Sequence, residues 1–305
     1  CCCGIIEKVE HLPSEDTMAP FSIDPNTTIA STHLTIANMA RSEHFYINVL
    51  GFRPLARTGD TLTLTADGVS PLLSLTELPG APPKPARATG LYHFAILTPT
   101  RLDLARSLRR LAEMRYPLSG ASDHLVSEAL YLDDPDGNGI EIYRDRPRAE
   151  WPRMGGQIQM ATDPLDIDGL LGELARDDRP WDGLAPATTI GHMHLHVADI
   201  KAAEAFYHGL LGFDITVRYG PSALFVSAGG YHHHLGLNTW AGVGAPPAPA
   251  GSAGLRHFIV RLPDQAARDL LLARVREAGI AIADHADGAL VRDASGNALV
   301  LATAA

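Results

Sequence analysis

Residues 33–52 of this chain read HLTIANMARSEHFYINVLGF, and residues 194–213 read HLHVADIKAAEAFYHGLLGF. Each segment runs from an extended stretch through a helical one to Leu-Gly-Phe. Asp199 stands where the N-cap of the second helix is expected, and Asn38 takes that place in the first. Phe45-Tyr46 and Phe206-Tyr207 fall at matching positions on the inner helix faces. A chain built from copies of one small unit cannot bury the apolar face of each copy alone. The copies must pack against each other, and this restricts the fold more than any other feature of the sequence.

A second pair of repeats lies downstream. Gly80-Ala81-Pro82-Pro83 leads to Gly90-Leu91-Tyr92-His93-Phe94, and Gly244-Ala245-Pro246-Pro247 leads to Gly254-Leu255-Arg256-His257-Phe258. Amphipathic helices are predicted over 101–115 and 264–278, with Leu104, Leu108 and Leu111 at helical spacing. Asp134-Pro135-Asp136-Gly137-Asn138 then matches Asp293-Ala294-Ser295-Gly296-Asn297, a tight turn before a last strand. The expected class is α+β: four βαβββ modules (about 28–79, 88–146, 188–240 and 252–302) paired into two cupped mixed β-sheet barrels with helices outside. The expected domains are a disordered or non-native leader over 1–26, a two-module domain over 27–150, a connector with a short helix near 166–175 over 151–187, and a second two-module domain over 188–305.

Composition narrows the partners. The 35 acidic and 25 basic side chains give a formal net charge of −10, which does not attract a phosphate backbone, so no nucleic-acid partner is expected. No apolar run is long enough to span a bilayer, and the expectation is a cytoplasmic protein without membrane partners, with a homo-oligomer left open. The three cysteines are Cys1, Cys2 and Cys3, so the folded part has no thiol chemistry.

Fourteen histidines remain to be explained. His44 and His208 fall in helical stretches and are expected at the surface. Others recur at equivalent module positions, mostly on strands, beside one carboxylate. Two imidazoles and one carboxylate on one face of a metal form the facial triad of non-haem Fe(II) oxygenases, with adjacent positions open.

Three motifs carry a resemblance that spans nearly all of the chain from Thr27: Gly191-His192 with Val197-Ala198-Asp199, Leu91-Tyr92-His93-Phe94-Ala95-Ile96, and Asp134 to Tyr143. In these the chain resembles the vicinal oxygen chelate (glyoxalase/bleomycin resistance/extradiol dioxygenase) superfamily, and within it the two-domain extradiol dioxygenases of the catechol 2,3-dioxygenase kind. The resemblance implies His93, Glu141 and His192 as metal ligands, Fe(II) as the ion with Mn(II) as an alternative, and a small aromatic diol and O₂ as substrates. It also implies His233 as the group that exchanges protons with substrate, and His124 and Tyr131 as the pair that hydrogen-bonds it. The Pro/Gly-rich loops 78–90 and 241–254 are expected at the pocket rim.

The pattern breaks in one respect. The family's usual arrangement puts the triad in one half, and neither half here holds it. Ser31 stands at the position equivalent to His192, and Val300 at the position equivalent to Glu141. Either each half is an incomplete site on a non-catalytic binder, or module two pairs with module three and module one with module four. Crossed pairing is the favoured reading, because it gathers a complete set from two incomplete halves. A glyoxalase-type lyase or isomerase is the other rival within the fold. It typically wants a second carboxylate, and the strand near His234 to Asn238 offers none.

Overall fold

The computed structural model describes residues 21–303. Each repeat folds as one βαβββ module. Module one comprises the strand Thr28–Ile36, a helix from Met39 to Val49, and the strands Arg53–Thr58, Thr61–Thr65 and Leu73–Glu77. Module three follows the same plan from Thr189–His196 to Leu235–Asn238. Their helices start under side-chain caps: Asn38 Oδ1 accepts the Arg41 N–H at 2.9 Å, and Asp199 Oδ1 accepts the Ala202 N–H at 2.7 Å. Both then widen by one residue per turn, with Leu50 N–H donating to Phe45 O and Leu211 N–H to Phe206 O. Modules two (Gly90–Leu97 to Gly139–Asp145) and four (Gly254–Leu262 to Ala298–Thr303) carry longer helices, Arg101–Glu113 and Gln265–Glu277.

The sheets cross the sequence halves. Strand Gly90–Leu97 of module two lies antiparallel to Thr189–His196 of module three, and together the two modules form most of a nine-stranded sheet. Modules four and one form an eight-stranded sheet through Gly254–Leu262 and Thr28–Ile36. The helices and turns link modules within each half instead. The Tyr46 hydroxyl donates to Asp134 Oδ2 at 2.7 Å, and the Tyr207 hydroxyl to Asp293 Oδ2 at 3.1 Å. In both turns the other carboxylate oxygen accepts two backbone N–H groups, so the buried Asp of the recurring Asp-x-x-Gly-Asn has both its oxygens hydrogen-bonded.

Two features differ from expectation. The leader was expected to run to residue 26, but residues 21–26 are ordered: Ile23 is buried in the core and donates its N–H to Gly212 O, and Phe21 lies under the Arg274 guanidinium. Residues 1–20, with Cys1 to Cys3, lie outside the described residues. The connector carries its short helix at Ile167–Gly172, continued by a tighter turn to Arg176, but its strand Asp163–Pro164 also joins the edge of the nine-stranded sheet beside Ser122 and Asp123. Among the described residues, no helix is long and apolar enough to cross a membrane.

Candidate metal centre

Three neighbouring strands bring His93, Glu141 and His192 together. Ala95 pairs with His192 on one side and with Glu141 on the other, and His93 lies two residues before Ala95, on the same face. The small Ala95 side chain leaves room between them. A β-bulge between Ile190 and His192 adjusts the direction of His192, and the same irregularity recurs between Ile29 and Ser31. Gly191 is required beside it, because a Cβ there would lie 1.7 Å from the Tyr143 hydroxyl oxygen. That hydroxyl is bonded to the Tyr231 hydroxyl at 2.7 Å.

Glu141 Oε2 lies 3.0 Å from His93 Nε2 and 3.2 Å from His192 Nε2. All three side chains are buried, and their ligand atoms fall within 4.8 Å of one another. His93 Nε2, although close to the carboxylate, makes no hydrogen bond to it. Burial alone would raise the Glu141 carboxyl, but the His192 and His93 imidazoles outweigh it and hold it well below its usual range. Burial takes His192 down to about 4. An ionised carboxylate facing two imidazoles, with His93 Nε2 and His192 Nδ1 both left without a hydrogen-bond partner, is the donor set of a 2-His-1-carboxylate metal site, so these residues fit a divalent ion.

His233 stacks on His192 with ring centroids 4.1 Å apart. Its Nδ1 lies 2.8 Å from Nδ1 of the fully buried His232, whose Nε2 lies 2.8 Å from Asp145 Oδ1. With Asp145 accepting from His232 Nε2–H, His232 Nδ1 carries a lone pair and accepts from His233 Nδ1–H. His233 is thereby left with a free lone pair on Nε2. Burial, followed by the neighbouring His192 imidazole, takes His233 well below the usual histidine range and keeps it neutral. His124 is fixed in the same way. Its Nδ1 lies 2.6 Å from the Ala161 carbonyl, which can only accept, so Nε2 accepts from the Tyr131 hydroxyl at 2.6 Å. Burial, followed by Glu141, holds the Tyr131 phenol well above its usual range and therefore protonated.

A cavity of about 540 Å³ opens over these groups, lined by His93, Glu141, His124, Tyr131 and His233. Sequence reasoning missed much of its wall. Tyr92, His194, Phe225 and Trp240 form an aromatic side, with Tyr92 and Trp240 rings 5.3 Å apart. Met160, Ala161 and Thr162 of the connector close another side. Strand alternation places His194 on the same face as His192 and could have found it; nothing local signalled the connector. The loops expected at this rim lie elsewhere. Lys84 and residues 247–254 line a second cavity, in the sheet of modules one and four. In that sheet the position of Ala95 is held by Ile259, flanked by Ser31 and Val300, so the counterpart of the His93, Glu141 and His192 set cannot form there.

A cupped sheet of paired βαβββ modules, with this donor set beneath a cavity, defines a class. The chain belongs to the Glyoxalase/Bleomycin resistance protein/Dioxygenase superfamily, whose model matches residues 28–142 and 189–301. It is 52% identical over 275 residues to Catechol-2,3-dioxygenase of Bacillus subtilis (strain 168), covering 89% of this chain and 95% of that protein. Solved structures share the fold at low identity. A Bacillus subtilis subsp. subtilis str. 168 protein provisionally assigned as a dioxygenase matches with a TM-score of 0.66 at 14% identity, over 93% of this chain and 86% of its own. Glyoxalase I from Zea mays matches with a TM-score of 0.54 at 14% identity, over 90% and 92%.

Proposed function

We propose that this chain is an extradiol ring-cleavage dioxygenase that inserts both atoms of O₂ into a catechol-type aromatic diol. The convergence of His93, His192 and Glu141 beneath a cavity that also presents His233, His124 and Tyr131 carries this reading. The 52% identity to Catechol-2,3-dioxygenase supports the substrate class.

His93, His192 and Glu141 would hold Fe(II), or Mn(II) in its place. Such an ion would bind the aromatic diol and O₂ and would supply the redox chemistry. The other residues prepare and protect the reaction. His233, neutral with Nε2 free, takes a proton from an incoming catechol hydroxyl and later returns it. The Asp145–His232 pair keeps the required tautomer in place. Tyr131, its O–H committed to His124, offers oxygen lone pairs to a substrate hydroxyl. The aromatic wall of Tyr92, Phe225 and Trp240 favours a flat ring and displaces water.

Anaerobic loading with Fe(II), followed by catechol under air, tests the proposal. The expected result is oxygen uptake with a yellow ring-fission product. Tight Ni²⁺ or Zn²⁺ binding with no oxygen uptake from the Fe(II)-loaded protein would overturn it in favour of a lyase.

A further inference from the structure

The second cavity differs from the first in charge. The first is lined by Asp133 and Glu141 and by no lysine or arginine. The second, about 450 Å³ in the sheet of modules one and four, is lined by Lys84, Arg256 and Arg292 and by no carboxylate. Among the described residues, none of these three cations has a carboxylate partner. The half-buried Lys84 ammonium has one long contact, to Ala88 O at 3.4 Å, and Arg292 Nη1 donates to Gly296 O at 3.0 Å. Three unpaired cations around one hollow repel each other, and an anion between them would relieve that.

The floor of the hollow is a histidine cluster. His33 and His257 ring centroids are 4.9 Å apart, and those of His257 and His285 are 4.6 Å apart. His257 is 7% exposed and lines the cavity, and its ring makes no hydrogen bond among the described residues. Burial, and then the charge of neighbouring His285, keeps it neutral at about 4; Arg256 and Arg292 act in the same direction and Asp287 against it. His285 Nδ1 accepts the Asp287 backbone N–H at 3.2 Å, so its proton sits on Nε2. The nearest carboxylate, Asp287, is mostly exposed, 3.5 Å from His285 Nδ1, and does not line the hollow. His257, His285 and Asp287 could together offer ligand atoms to a cation. Two guanidiniums and an ammonium around them favour the opposite charge. Leu255, Leu290 and Pro247 supply an apolar wall.

We propose that this second cavity binds a small organic carboxylate. Arg256, Arg292, Lys84 and His285 Nε2–H would hold the acid group, and the carbon skeleton would lie against Leu255, Leu290 and Pro247. The volume lies in the range of small-molecule sites. The site is separate from the proposed metal centre and does not depend on what that centre catalyses.

Calorimetric titration of the full chain with cis,cis-muconate tests this, with inorganic phosphate and uncharged catechol as comparison probes. Muconate should bind the wild type and Glu141→Gln equally, and more weakly as NaCl rises. Arg256→Ala with Arg292→Ala should weaken it about 100-fold, or about tenfold for each charge-assisted bond removed. Both arginines are exposed, so the variant keeps its core; its circular dichroism and any ring-cleavage activity should match the wild type. Four results would each overturn the proposal: no heat with muconate, binding of phosphate but not muconate, muconate binding that survives the double substitution, or binding lost in Glu141→Gln. Zn²⁺ bound through His285 by a protein that ignores muconate would make the cluster a cation site instead.

Discussion

At the residue scale the site depends on what surrounds each group. Glu141→Gln removes the charge that two imidazoles hold in place. The expected outcome is a folded chain that retains no iron by elemental analysis and consumes no oxygen. His233→Phe should retain the metal but lower turnover by about 10²-fold or more, since its lone pair is the proposed base; loss of metal would make His233 a ligand instead. Ala95→Leu is a sharper test of the geometry. Ala95 is fully buried between the three ligand side chains. A larger side chain there should separate them and abolish metal retention, much as Ile259 fills the matching position in the second sheet.

At the scale of elements, the repeated turns fasten helices to sheets. Asp134 accepts from the N–H groups of Asp136 and Asn138, the Asn138 side-chain amide and the Tyr46 hydroxyl, all buried. Asp134→Ala would leave four donors unsatisfied. It should cost about 3 kcal/mol or more in urea unfolding, with an unchanged slope. An effect below about 1 kcal/mol would show that water replaces the carboxylate. The tandem motifs, the capped helix starts and the Asp-x-x-Gly-Asn turns were legible in the sequence because each is satisfied locally. The connector's share in the site was not, since Ala161 reaches His124 only through tertiary packing.

For the whole molecule, crossed pairing has consequences for assembly and for pH. Chains 21–150 and 151–303 produced apart should each lack metal affinity, and mixing them should restore it, because His192 lies in one and His93 with Glu141 in the other. Ser31→His should change nothing, since Ser31 is in the other sheet. The metal-free protein should also lose stability in mild acid. Burial takes His234 and His33 to about 3 and His257 to about 4, against 6.5 when unfolded. Below 6.5 the unfolded chain takes up protons that the folded one refuses, so stability is full above pH 6.5 and falls as pH drops toward 4. Urea midpoints from pH 7 to 4.5 would measure this, and His234→Gln should flatten the decline.

By itself the sequence determined the module, its four copies and the residue types at the site, because strand alternation, helix caps and turn chemistry act over a few neighbours. It also showed that neither half holds a full ligand set. Only the tertiary structure decided which copies share a sheet. That choice rests on the pairing of Gly90–Leu97 with Thr189–His196, strands roughly 100 residues apart. The free energy of that pairing comes from burying two apolar sheet faces together, and no local pattern records it. The same tertiary choice placed the Pro/Gly-rich loops around the second cavity and left its cations without carboxylate partners among the described residues.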